Sequence, residues 1–283
     1  MGDRLRSLWD FADLGGSEQR LRAALEDEPS DEGRAEVLTQ LARVEGLRGD
    51  FEAGERLVDE AGALVPEGGV AAARVDLERG RLRRSSGDPA AAFPLFESAF
   101  EAACGAGAWF IAADAAHMAA LAASGREGFV EWAQRGIELG EEHGEASYWA
   151  GPLLNNLGWE YYEAGELELA LEAFERALQA RGREPDKEEP IALARYAVGK
   201  ALRALGRSEE AIPLLEQAVA WATGQGTPDG WYHEELALEY EAVGRPDDAA
   251  EQARLAIPLL EAADPSFADD AERTERLREL AGS

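Results

Sequence analysis

LLNNLGWEYYEAGELELALEAFERALQA, residues 153–180, consists of two amphipathic stretches joined at Gly165, with Gly158, Ala170 and Ala177 set among large apolar side chains. Small residues at such intervals let two antiparallel helices approach to roughly 8–10 Å, while Leu, Phe and Tyr fill the groove beside them. The stretch therefore reads as a helix, a tight turn and a second helix.

The same offsets return along the chain. Gly158, Ala170, Phe174 and Ala177 become Gly199, Ala211, Leu215 and Ala218, then Ala237, Ala249, Ala253 and Ala256. Upstream, Gly80, Ala92, Phe96 and Ala99 match, as do Ala42, Gly54, Val58 and Ala61, and more loosely His117, Phe129, Ala133 and Gly136. Between the two helices of a unit lies one type of turn, seen in RGDFEAGE, SGDPAAAF, AGELELAL, LGRSEEAI and VGRPDDAA. Its glycine ends the first helix in the left-handed conformation, and the acidic residue or proline after it suits the first turn of the next.

Leu157, Gly158, Tyr161, Ala170, Phe174 and Ala177 resemble the signature of the tetratricopeptide repeat, with Leu154 where that pattern has Trp and Gly182 where it has Pro. Equivalent residues recur every 37 to 41 positions, longer than the usual 34, like the longer-helix variety of kinesin light chains and some bacterial regulators. The resemblance implies an all-α, right-handed α-solenoid of about six to seven helix-turn-helix units. On that reading residues 1–283 form one superhelical domain. Residues 1–34 are a degenerate capping repeat with helices near 3–12 and 17–27, residues 35–263 hold six repeats, and 264–283 form a C-terminal capping helix. The longest irregular connections are expected at 140–151, 181–190 and 224–230.

Composition narrows the function. With 28 Lys plus Arg against 57 Asp plus Glu, the formal charge is −29. That field repels polyanions, so nucleic acid and anionic membrane surfaces are disfavoured partners. The single cysteine, Cys104, permits no internal disulfide, and the opening MGDRLRSLWDFADLGG lacks the apolar core of a signal peptide. A reduced cytoplasm is the expected setting.

Little supports catalysis. His117, His143 and His233 are the only histidines, none at metal-ligand spacing with another His or Cys. CGAGAWF, at 104–110, lacks the lysine of a phosphate-binding loop. Cys104 reads as a small buried hydrophobe, and the abundant carboxylates read as solvated helix faces. No enzyme activity, metal or cofactor is expected.

In this repeat family the first helices line the concave surface, and here those helices are nearly neutral as a set. At the offsets where family members point side chains into the groove stand Arg43, Arg81, Arg84, Asn156, Trp159, Tyr196, Lys200 and Arg203. Asn, Lys and Arg there suit a peptide's carboxylate or backbone, and the aromatics supply apolar contact. In residue type this resembles the carboxylate clamp of chaperone-binding members, with Asn156 at a matching offset. Alternatively, the arginines pair with acidic neighbours. The leading expectation is a scaffold or adaptor that binds a peptide or helix of a partner protein, acidic in character. Two other readings stay open: a regulator that senses a small ligand or signalling peptide, and a homo-oligomer whose groove or edge repeat holds a second copy.

Overall fold

The computed structural model describes residues 3–65, 68–183 and 188–282. Among them every regular element is helical. A 3-10 turn at Arg6–Leu8 precedes α1 (Leu14–Asp27), α2 (Asp31–Arg48), α3 (Phe51–Gly62), α4 (Gly69–Ser85), α5 (Pro89–Gly105), α6 (Trp109–Ala122) and α7 (Gly125–Glu142). Then follow α8 (Ser147–Glu163), α9 (Leu167–Arg181), α10 (Glu188–Ala204), α11 (Ser208–Gly224), α12 (Gly230–Ala242), α13 (Pro246–Ala263) and α14 (Ala271–Ala281). The all-helical solenoid class expected from the repeats is the one observed.

Local chemistry sets the helix ends. Asp50 and Asp88 cap α3 and α5 by accepting from the amides of Ala53 and Ala91, contacts worth about 1 kcal/mol each relative to alanine. Gly165 (φ 76°) and Gly206 (φ 72°) make the turns that start α9 and α11, in a conformation that disfavours a Cβ.

The chain divides into two compact units, Met1–Leu153 and Leu154–Ser283, with the boundary inside α8. In the first, α2/α3, α4/α5 and α6/α7 are successive antiparallel pairs. Leu21, Leu38, Leu41, Val58 and Leu82 form part of its core. Gly80 lies beneath Phe96, where an added Cβ would come closer than 3.0 Å to the ring.

In the second unit the rest of α8 packs with α9, followed by α10/α11 and α12/α13. Gly158 lies beneath Phe174 and Gly199 beneath Leu215 with the same sub-3.0 Å clearance. One relation between a first-helix glycine and the large residue sixteen positions later thus recurs in both units. It removes a side chain where a ring or isobutyl group must enter. Leu277 and Ala281 of α14 join Leu260 and Phe267 in a terminal apolar cluster, giving the C-terminal helix a buried face.

Two segments differ from the sequence expectation. Residues 3–12 are not a helix: only Arg6–Leu8 are helical, because Asp3, Leu5, Arg6 and Trp9 each take tertiary partners at different places on the unit. The connection at 140–151 is mostly helical, since α8 begins at Ser147. The connection at 181–190 includes residues 184–187, which lie outside the described residues.

Candidate functional site

In the second unit the helical period brings Trp159 of α8, Tyr196, Lys200 and Arg203 of α10, and Trp231, Tyr232 and Glu235 of α12 to one cavity of about 1080 Å³. Small-molecule sites usually span roughly 300–1,000 Å³, so this space lies at the upper end of that range. Its aromatic wall is continuous. The rings of Trp159 and Tyr196 lie 6.5 Å apart, those of Tyr196 and Tyr232 5.2 Å, and Trp159 is braced edge-on against Phe174 at 5.0 Å. Burial pushes the Tyr196 phenol well above its usual range and the Tyr232 phenol up to about 12, so both stay neutral donors.

Lys200 and Arg203 are held in place by a buried acid. Glu235, 3% exposed, accepts from Arg203 Nε and forms an ion pair with Lys200 Nζ at 3.5 Å. Lys200 Nζ also lies 3.5 Å from the Tyr196 hydroxyl. Arg273 of α14, which also lines the cavity, grips Glu234 with two bonds of 2.6 and 2.5 Å and reaches Asp264 at 2.9 Å. Fully buried Glu239, one turn beyond Glu235, is pushed above the usual carboxylate range by burial, with the Glu235 charge acting in the same sense. Seven carboxylates and four cations line the cavity.

The first unit arranges its candidates differently. Arg81, its side chain 12% exposed, lies between Glu78 and Asp114 and bonds to both, and Arg43 approaches Glu78 at 4.0 Å. Arg84 Nε donates to the Leu121 carbonyl at 3.4 Å. Trp149 lies 5.3 Å from His117, whose pKa burial lowers to about 4.

Of the eight residues expected from sequence, the structure gathers Trp159, Tyr196, Lys200 and Arg203 in one cavity and Arg43 and Arg81 about one carboxylate. Arg84 is engaged by backbone, and Asn156 is half-buried on α8 outside the lining. Arg43, Arg81 and Arg203 pair with acidic neighbours, as the alternative reading has it, and Lys200 shares Glu235 with Arg203.

Sequence reasoning missed Glu78, Asp114, Tyr232 and Glu235. Asp114 carried a usable signal: an isolated acid in the alanine-rich IAADAAH demands a cation once the helix is buried. Among the described residues no group of His, Cys, Asp and Glu is placed to hold a metal ion, and no helix is long and apolar enough to cross a membrane.

Two segments match the tetratricopeptide repeat model, residues 151–182 and 192–224. No curated protein matches the chain in sequence. Among solved structures, the apo form of RapI is similar over 98% of this chain and 80% of its own, with a TM-score of 0.69 and 14% identity. A signal transduction ATPase with a tetratricopeptide repeat sensor, PH0952 from Pyrococcus horikoshii, is similar over 99% of this chain with a TM-score of 0.74 and 16% identity. The Cut9–Hcn1 assembly gives 0.60 over 98% at 16% identity. This chain spans 43% and 48% of those last two proteins.

Proposed function

The chain is a tetratricopeptide-repeat protein, and on that premise we propose that it is a non-catalytic adaptor whose second unit holds a peptide or helix of a partner protein. The observation that carries this reading is the aromatic wall of Trp159, Tyr196 and Tyr232 facing a cavity of about 1080 Å³. Aromatic rings contribute large contact area at low entropic cost and are enriched among the residues that dominate binding energy. The partner segment places apolar side chains on that wall. With Lys200 and Arg203 both paired to Glu235 and seven carboxylates against four cations in the lining, a neutral or basic segment fits better than an acidic one.

Selection of binders from a displayed random-peptide library tests the reading. Peptides enriched on the intact chain are expected to lose at least tenfold in affinity for Trp159→Ala and for Tyr196→Ala, with unchanged helical circular dichroism. Affinities that stay within twofold in both variants place binding elsewhere.

A sensing role is the second reading, favoured by the description of the Pyrococcus horikoshii protein as carrying a tetratricopeptide repeat sensor. It predicts that a selected peptide changes the radius of gyration in small-angle scattering, whereas a passive adaptor keeps its dimensions.

A further inference from the structure

Residues 3–11 of the first unit lie across the faces of four successive first helices. Asp3 bonds to Arg74 of α4, a pair almost wholly buried, and Arg74 in turn holds Glu36 of α2 at 3.0 Å. Leu5 is 2% exposed. The Arg6 guanidinium stacks 4.0 Å above the Tyr148 ring of α8 and 5.7 Å from the Phe110 ring of α6. The Trp9 indole donates to Gln40 Oε1 of α2 at 2.9 Å, and the Arg43 guanidinium lies 5.6 Å from the Trp9 ring.

An acid, an arginine and an indole thus follow one another at intervals of three residues, and each meets a different repeat. The backbone between them has only one 3-10 turn, and Phe11, 62% exposed, stacks on the Trp9 ring at 5.0 Å.

A second observation concerns what this segment leaves undone. Beneath it remains a cavity of about 80 Å³, and Glu78 is among the residues that line it. Glu78 is 2% exposed, and its Oε2 has no hydrogen-bond donor among the described residues, although Oε1 takes Arg81. An unpartnered buried carboxylate oxygen is costly and favours a ligand that brings an N–H donor. The segment covers the site without completing it.

We propose that the first-helix face of this unit is a binding site for an aromatic segment of a partner protein that carries an acid and an arginine, and that residues 3–11 occupy it in cis as an internal competitor. The partner segment presents a carboxylate to Arg74, a guanidinium to the Tyr148 and Phe110 rings with access to Glu78, and an indole or similar ring to Gln40 and Arg43. Cation–π stacking selects arginine at the central position, and the helical solenoid recognises the spacing. This site is separate from the cavity of the second unit, so either stands if the other fails. Because the internal segment must leave first, the intact chain binds with an affinity reduced by the fraction of molecules in which the site is open.

The test uses the full chain and a fluorescein-labelled synthetic peptide, DRLRSLWDFA, which copies residues 3–12. Asp3→Ala, Leu5→Ser and Arg6→Ala together release the internal segment. The released variant is expected to bind the peptide at least tenfold more tightly than the intact chain, and to bind a peptide with citrulline in place of both arginines at least tenfold more weakly. In otherwise intact protein, Tyr148→Ala is expected to raise amide exchange across residues 3–11, a readout that remains if the triple variant does not fold. Equal peptide affinity for released and intact chains, equal affinity for the citrulline peptide, or unchanged exchange in Tyr148→Ala each overturns the proposal. Dimers of the released variant at assay concentration also overturn it, by making a second copy the occupant.

Discussion

The Arg203 guanidinium and the Glu235 carboxylate form an ion pair between α10 and α12, and the acid is only 3% exposed. Lys200 shares the same carboxylate at 3.5 Å. Two half-exposed cations therefore depend on one buried anion, and the three residues are not energetically equal. Removing the acid leaves two cations facing each other, whereas removing one cation leaves the acid still paired. Glu235→Gln is expected to lower stability by about 1–3 kcal/mol, and Lys200→Gln by less than about 1 kcal/mol. Urea unfolding followed by circular dichroism measures both; equal losses would show that the pair is not organised about Glu235.

Gly158 and Phe174 supply a test of the repeat packing. An added Cβ at Gly158 would come closer than 3.0 Å to the Phe174 ring. Gly158→Ala gains about 1 kcal/mol of helix propensity and loses about 1–3 kcal/mol to overpacking, so a net loss is expected. Phe174→Leu in the Gly158→Ala background is expected to cost less than in the parent. A double-mutant cycle reads that coupling, and strict additivity of the two changes contradicts the contact.

His117 predicts a pH dependence. Burial lowers its folded pKa to about 4, against about 6.5 in an unfolded chain. Between those values the unfolded state binds the extra proton, so this residue's contribution to stability falls as the pH drops from about 6.5 towards 4. The loss approaches about 3.4 kcal/mol below pH 4. His117→Gln is expected to flatten that part of the stability profile, and imidazole proton titration followed by nuclear magnetic resonance reads the pKa directly.

Cys104 is expected to react slowly. Burial pushes its thiol above the usual range, which depletes the thiolate nucleophile at neutral pH. Alkylation by iodoacetamide at pH 7.5 should be at least tenfold slower in the folded chain than in urea; equal rates would show an open, activated thiol.

The repeat architecture was legible because its cause is local and periodic. Gly80, Gly158 and Gly199 each stand sixteen residues before Phe96, Phe174 and Leu215, and the structure seats each large residue on its glycine. Half of the candidate site was legible for the same reason, since the helical period that buries Gly158 and Gly199 turns Trp159, Tyr196, Lys200 and Arg203 to one side. What pairs those cations was not. Glu235 sits on the next repeat, and in a chain with 57 acidic residues nothing in its own neighbourhood marks it as the one that is buried. The placement of residues 3–11 was hidden for a related reason: Arg6 meets Phe110 and Tyr148, more than a hundred residues away, and no short-range pattern encodes that meeting.

The most direct measurement on the central claim is site-specific photocrosslinking in the source cells. Leu193 lines the cavity of the second unit and is 46% exposed, while Leu255, 45% exposed, lies on α13 outside the lining. A benzophenone amino acid is placed at one position or the other. The account predicts a covalent partner at position 193 that is absent at 255 and is lost when Trp159→Ala is added. Crosslinks of equal yield at both positions, or a yield at 193 that Trp159→Ala does not change, contradict a peptide-binding role for this cavity.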